Sequence, residues 1–458
     1  MERSLGDWLV SHGGAIGLRT VNNPVNPARF EATALLAQLE DCGSPPVRFS
    51  DSTDLCGRET GIGLVFNAYG SRKSIASVVG IESADWSGLL DAFATKATRL
   101  KETVTVGDAP IHANVRIGAE ADLTTLPWIR HVDGEGGLYF TPILVSRALG
   151  QKRSNLSWNR AMYLDERHMG VHISPRQLWA FQRDAEKSGE DLPVAAVLGH
   201  HPAFNLAAAA LTPVTVDEYH VAGALIGEGV RVVDAVSFGD ALPVPAEAEI
   251  VIEGRLLARR RAVEGPFGEY MRYLGPQKLS HVFEVDAICW RDDPHVLGVF
   301  AGHRDHLNAH IGIHASYLAA ARAAVPQVRD VAWFDGGGPT TVVVSMAKSA
   351  EGQPMRAAMA IMAVSNVIKQ VIVADPDIDI RDARQVMFAV STRVRASEDL
   401  VVVPGLQANL LDPSQTGFER ASGIVIDATW PLGGIAPEIV HVPEEALAEF
   451  PLARFNIS

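Results

Sequence analysis

The chain has 458 residues, 47% hydrophobic and 21% charged, with a formal net charge of −14 and a sequence pI near 5.5. That length exceeds one ordinary core, so two or three domains are expected. The acidic balance argues against a nucleic-acid groove and an anionic membrane surface, and the most apolar run, residues 206–211, is far shorter than a bilayer requires.

The chain opens on Met1-Glu2-Arg3-Ser4, without the charged-then-apolar pattern of a signal peptide. Its three cysteines, Cys42, Cys56 and Cys289, show no metal-binding spacing, so a reducing cytoplasm is the expected compartment. Asn26-Pro27 reads as an N-cap followed by proline at the first helical position, predicting a helix through residue 39. A strand over 63–67 and a helix over 85–100 complete a small α/β unit within residues 1–120. Thr124-Thr125-Leu126-Pro127 and the glycine-rich 133–137 mark a break and a domain boundary.

From about residue 138 the pattern turns to strands, at 138–144, 162–164, 194–198, 249–254 and 281–290. The last alternates, with Phe283, Val285, Ala287 and Cys289 on one face, as a strand with one buried side should. Helices at 175–187 and 217–226 interrupt them, so an antiparallel sheet or barrel with helical insertions is expected over 121–305. An Ala-rich helical pattern over 306–324 leads out through a linking helix, residues 306–330. Strands at 341–345 and 371–374 and helices at 354–369 and 382–392 predict a second α/β layer within 331–458. The fold class is therefore mixed α/β (α+β).

Chemistry concentrates in a few stretches. In Glu264-Gly-Pro-Phe-Gly-Glu269, two carboxylates flank a tight turn. Pro266 fixes its own φ, and Gly268 admits backbone angles closed to other residues, so the turn can aim both acids the same way. Two acids held close cannot ionise independently, and one tends to keep its proton, as general acid/base chemistry needs. A surface turn that happens to carry two acids is the competing reading. Upstream, Ser154-Asn-Leu-Ser-Trp-Asn-Arg160 offers an amide oxygen suited to a hard cation (Asn155), a hydroxyl suited to phosphate (Ser157) and a guanidinium fork suited to a carboxylate (Arg160). Gln177 and Glu218 add two more oxygens. Yet Ser174-Pro175-Arg176-Gln177 and Thr215-Val216-Asp217-Glu218 both have the capping-box pattern, so each side chain is either a helix cap or a cation ligand. Lys348 follows a strand and is either a phosphate contact or a solvated strand end. His303, Arg304, Asp305, His306 and His310 cluster at a helix start and read substrate or merely end the helix. No Walker sequence, no Rossmann glycine pattern after a strand and no Gly-x-Ser-x-Gly elbow is present.

In this order, these pieces resemble the UbiD family of reversible decarboxylases that use prenylated FMN. The resemblance is carried by Asn155-x-Ser157-x-x-Arg160, Ser174-Pro175-Arg176-Gln177, Asp217-Glu218-Tyr219-x-x-Ala222-Gly223, Ala248-Glu249-Ile250-Val251-Ile252-Glu253-Gly254 and Glu264-Gly-Pro-Phe-Gly-Glu269, with Leu123-Thr124-x-Leu126-Pro127 before them and Asp375-x-Asp377-Ile378-Asp379 after. It implies an N-terminal α/β region, a central split β-barrel that binds the flavin, and a C-terminal α/β domain that dimerises. By the same resemblance Asn155, Gln177 and Glu218 would hold a divalent ion, usually Mn2+, bridging to the flavin phosphate, with K+ nearby. Leu156, Ser157, Trp158 and Asn159 would line the cofactor, and Lys348 would reach its phosphate. Arg160 would pair with the substrate carboxylate, Glu264 would hold Arg160, and Glu269, its pKa raised by burial and by Glu264, would return a proton.

The implied reaction is reversible decarboxylation of an aromatic, heteroaromatic or α,β-unsaturated acid through a covalent adduct with prenylated FMN. A flavin prenyltransferase would supply the cofactor, and His303, Arg304 and His310 would read the acid. The rivals are a non-catalytic flavin carrier and a structural subunit that retains the fold; the intact acid pair speaks against both. Two departures stand out: Gln177 occupies a position where many relatives place a histidine, and Ala208-Ala209-Ala210-Leu211 stands where relatives often have a Ser-rich segment.

Overall fold

The computed structural model describes residues 2–82, 85–210, 212–334, 338–415, 420–434, 437, 440–451 and 454. Its centre is a long antiparallel hairpin, Ile250–Glu264 against Lys278–Trp290, inside a nine-stranded antiparallel sheet. From one edge the order runs Tyr139–Phe140, Ala161–Tyr163, His168–Val171, Lys278–Trp290, Ile250–Glu264, Leu192–Val197, Ile143–Arg147 and Ser154–Trp158; Asn114–Ile117 pairs with the far half of Lys278–Trp290.

Connectivity dictates the shape. Ser154–Trp158 is the last strand of that order and Ala161–Tyr163 the second, yet only Asn159 and Arg160 join them. Six inter-strand spacings would put the two about 29 Å apart in a flat sheet. Three backbone steps reach about 11 Å. The sheet therefore curls until its edges nearly meet, and Arg160 lies in the seam. Thr141-Pro142 makes a second crossing of the same kind, from Phe140 to Ile143. This is the antiparallel barrel the sequence pattern anticipates, open along one side like the split barrel the family resemblance implies.

Both faces of this sheet are covered, which explains why its strands read as short apolar runs. Within Leu192–Val197, Leu192, Val194 and Ala196 enter a core shared with the helix Gln177–Ser188. Ala195 and Val197 enter another, under the helices Pro202–Ala209 and Glu218–Ile226.

Several expectations shift. The helix expected from Asn26 is a 3-10 turn, Pro27–Arg29, and then Glu31–Leu39, because Phe30 between them takes a left-handed φ of 66°. The N-terminal sheet does not close within residues 1–120: its fourth strand, His295–Leu297, pairs parallel to Gly63–Phe66 from beyond the barrel. Such a pairing needs a long crossover and leaves no local pattern. Residues 306–330 are not one linking helix. Arg304–Ala309 and Ile311–Ala324 break at His310, and Val325, extended before Pro326, ends the second before the strand Val328–Trp333.

The C-terminal sheet has the order Val328–Trp333, Thr341–Met346, Gln370–Ala374, Arg420–Ala428, Leu400–Gln407, parallel in the middle and antiparallel at both ends. Beside it, buried Arg393 gathers Asp375 and Asp377 of the predicted Asp-x-Asp landmark, at 2.9 and 2.6 Å. Among the described residues, no helix is long and apolar enough to cross a membrane.

Candidate active site

The seam carries the first cluster. Arg160 Nε donates to Glu264 Oε1 at 2.8 Å and Nη2 to Glu264 Oε2 at 3.1 Å, a bidentate pair, while Nη1 donates to Glu269 Oε1. The Phe267 ring lies 5.1 Å beneath the guanidinium. Glu264 is wholly buried, and each of its oxygens has a further donor: Tyr139 Oη at 3.3 Å and Ser280 Oγ at 3.2 Å. Glu264 ends one strand of the hairpin opposite Lys278, whose Nζ lies 3.2 Å from His172 Nε2. Burial and the neighbouring Arg160 charge push Lys278 down to about 8 and His172 down to about 3.

The turn that aims the two acids works differently from the sequence expectation. The left-handed residue is Gly265, φ 91°, while Gly268 is needed for close approach: a Cβ there would sit 2.7 Å from Val132 Cγ2. The glycine-rich 133–137 is no domain break; it clamps this turn. Gly136 N donates to Pro266 O at 2.8 Å, and a Cβ on Gly136 would lie 2.1 Å from Gly265 O. Glu135, buried at the same place, accepts from the backbone N–H of His131 at 2.8 Å and of Gly268 at 3.4 Å.

A second cluster forms where two helix N-termini meet the edge strand Ser154–Trp158. Gln177 and Glu218 are each the first residue of their helices, and both reach Asn155: its Nδ2 donates to Gln177 Oε1 at 2.6 Å and lies 3.4 Å from Glu218 Oε2. Neither expected capping box exists. Arg176 caps the first helix without a side-chain bond, and Asp217 caps the second, accepting from Tyr219 N at 3.0 Å. Thr212 Oγ1 bonds Glu218 Oε1 at 3.0 Å. Burial raises Glu218 above the ordinary carboxylate range.

Asn155 Oδ1 is buried with no hydrogen-bond partner beside this carboxylate, a costly arrangement unless something else fills the acceptor. Two amide oxygens, a carboxylate and a pair of helix N-termini suit a hard divalent cation together with a phosphate, so the residues present fit both.

Of the residues expected along the cofactor, Leu156 is buried, with its N–H 3.4 Å from Glu218 Oε2. Ser157 is half-buried opposite Leu144. Asn159 donates to His172 O at 2.9 Å and keeps a buried, unpaired Oδ1. Trp158 donates to Thr141 O at 2.9 Å and stacks with His310, ring centroids 6.3 Å apart and planes 10° from parallel. His306 and Tyr270 join this group, and burial lowers both imidazoles.

The other expected residues lie apart. His303 stacks on Phe300 at 3.5 Å, and the Arg304 N–H bonds Glu40 at 3.1 Å. Lys348 pairs with Glu351 at 2.6 Å beside the C-terminal sheet, and no contact among the described residues joins it to Asn155. In the segment 208–211, the helix ends at Ala209, and Leu211 lies outside the described residues.

Tyr139, Ser280, Lys278, His172, Thr212 and Tyr270 were not singled out from the sequence. Only Tyr270, which follows Glu269, carried a local signal; the others reach the site across strands or from a loop.

Comparisons with known proteins point to one family. A model of the 3-octaprenyl-4-hydroxybenzoate carboxy-lyase Rift-related domain matches residues 102–304, and one of the corresponding C-terminal domain matches residues 309–428. An anhydromevalonate phosphate decarboxylase of Aeropyrum pernix is 30% identical over 437 residues, 93% of this chain and 94% of that one. The structure of the UbiD-class enzyme HmfF from Pelotomaculum thermopropionicum in complex with FMN superposes with a TM-score of 0.90 at 33% identity, covering 99% of this chain and 100% of that one. An evolved dimeric form of HmfF in complex with prFMN gives 0.86 at 32% identity, covering 99% of each chain.

Proposed function

The chain belongs to the UbiD family of carboxy-lyases, and on that premise we propose that it reversibly decarboxylates an aromatic, heteroaromatic or α,β-unsaturated acid with prenylated FMN. The observation that carries this reading is the seam: Arg160 bound at once by Glu264 and Glu269. Asn155, Gln177 and Glu218 would hold the divalent ion, Mn2+ or a similar cation with K+ nearby, and through it the flavin phosphate. When bound, prenylated FMN supplies a sink for the electron pair left behind by carbon dioxide.

The chain's own residues do the rest. Three of the five N–H donors of Arg160 are engaged by the two glutamates. The remaining donors, on Nη1 and Nη2, can orient the substrate carboxylate. Glu264, fixed by Tyr139 and Ser280, keeps the guanidinium from turning away. Glu269, less enclosed than Glu264, delivers the proton to the carbon that has lost carbon dioxide. The neutral imidazoles of His306 and His310 beside Trp158 and Tyr270 favour a planar acid with polar substituents. A phosphate role for Lys348 would bring the C-terminal domain to the cofactor.

Within this reading, residues 121–305 are the cofactor domain and 331–458 the dimerising one. Val402 and Phe388, 60% and 47% exposed, support an interface between copies of the chain there. A cytoplasmic setting with a flavin prenyltransferase supplying the cofactor completes it.

The test is co-expression with such a prenyltransferase, followed by a screen of aryl and acrylic acids for carbon dioxide release. Glu269→Gln is expected to cut turnover by about 10²–10⁴-fold while leaving the flavin spectrum intact; unchanged turnover would remove the proton role.

A further inference from the structure

We propose that His112, Glu253 and Cys289 form a second cation site, at the end of the long hairpin remote from the seam, suited to a borderline divalent ion such as Zn2+. His112 closes the 3-10 turn Pro110–His112 on the way into the barrel, while Glu253 and Cys289 project from the two strands of the hairpin. One ligand atom from each lies within 4.8 Å of the others. Cys289 Sγ is 3.9 Å from Glu253 Oε1. An ion holding sulfur at ~2.3 Å and oxygen at ~2.0 Å in a tetrahedron would place those two atoms about 3.5 Å apart, so the Cys289–Glu253 pair lies only a few tenths of an ångström beyond that spacing.

A second, independent observation points the same way. The Nε2 of His112 is buried without any hydrogen-bond partner, and a ring nitrogen of His112 lies within 4.8 Å of Glu253 and Cys289, both fully buried. A buried imidazole nitrogen left without a partner is costly unless another group, such as an ion, satisfies it. Glu253 is held in place from behind, its oxygens accepting from Val236 N at 3.0 Å and Ser237 N at 2.7 Å, as ligating carboxylates usually are.

The donor set separates this site from the Asn155 corner. There every donor is an oxygen, which suits Mn2+ or Mg2+; here a thiolate, an imidazole and one carboxylate oxygen select the zinc class. Three protein donors leave a fourth position for water, with an entry past half-exposed His112. Binding replaces the thiol S–H bond by a sulfur–metal bond and releases the proton to solvent. An ion here would staple the turn at residues 110–112 to the back of the hairpin, eleven residues along the strand from Glu264.

Co2+ is the probe. The full chain, with flavin bound and the Asn155 corner loaded with Mn2+, is titrated with one equivalent of Co2+. The expected result is a thiolate-to-cobalt charge-transfer band, which an all-oxygen site cannot give. It should persist in the Cys42→Ser/Cys56→Ser double variant, vanish in Cys289→Ser, and require at least 10-fold more Co2+ in His112→Ala. Absence of the band in the natural chain, or its survival in Cys289→Ser, overturns the proposal. Should Cys289→Ser fail to fold, thermal unfolding decides: excess Zn2+ raises the Tm of the natural chain and leaves His112→Ala unmoved, and an equal shift in both overturns the site.

Discussion

The seam and the Asn155 corner lie at opposite ends of one short strand, and they are finished to different degrees. At the seam every polar atom that matters has a partner supplied by the fold: Arg160 has two glutamates, and Glu264 has Arg160, Tyr139 and Ser280. At the corner, Asn155 keeps an unpaired oxygen, and Glu218 is buried with donors too weak to hold its pKa down. On the proposed function, the fold pre-assembles the groups that would handle substrate, while those that would anchor a cofactor keep an unsatisfied acceptor that a cation could take. Turnover demands fixed geometry; binding a cation demands an acceptor the fold has not already satisfied.

That contrast can be broken most severely at the seam. Arg160→Met leaves Glu264 buried without its counter-charge and is expected to cost about 3–5 kcal/mol of stability in denaturant unfolding, flavin present or not. A loss seen only with flavin bound would mean that the seam is assembled by its ligand. At the corner the pattern should invert. Glu218→Ala is expected to leave the metal-free chain as stable as before, or more so. It should abolish the gain of about 2.7 kcal/mol that a cation at a hundred times its dissociation constant confers. Retention of flavin in that variant would return Glu218 to a purely structural role.

The sign of the pH dependence sharpens the same point. The folded pKa of Glu218 lies above its unfolded value, so its contribution to metal-free stability is complete below the unfolded pKa and is lost as pH rises through the folded one. Mn2+ should cancel that loss, and Glu218→Gln should remove it; thermal unfolding across pH with and without the ion reads both. The smallest effect is expected from Tyr139→Phe, which removes one neutral donor from Glu264: about 1 kcal/mol in stability and no more than roughly tenfold in turnover.

How much of this the sequence disclosed depended on distance along the chain. Arg160, Glu264 and Glu269 were legible because two lie in one hexapeptide and the third in an ordered set of short motifs. The partners that fix them were not: Tyr139 and Ser280 arrive through strand pairings that local patterning does not encode. Capping boxes read at Gln177 and Glu218 failed for a related reason, since each side chain turns from its own helix toward Asn155 on a distant strand. The glycines of 133–137 looked like a linker because the turn they fit against lies 130 residues on. The strand expected at 249–254 runs on to Glu264 because three arginines, residues 259–261, interrupt its apolar pattern, with Arg259 at a φ of 55° where the register slips.

The two-residue crossing at Asn159-Arg160 has a consequence for how the molecule is made. Its flanking strands cannot settle until the hairpin between them exists, and the hairpin is complete only at Trp290. An emerging chain therefore has no half-built pocket to offer: some three hundred residues must leave the ribosome before guanidinium and glutamates can meet. Contacts of such long sequence separation form slowly. On the proposed function, cofactor capture would accordingly be an event of the finished protein, and its supply would have to match folded chains rather than nascent ones.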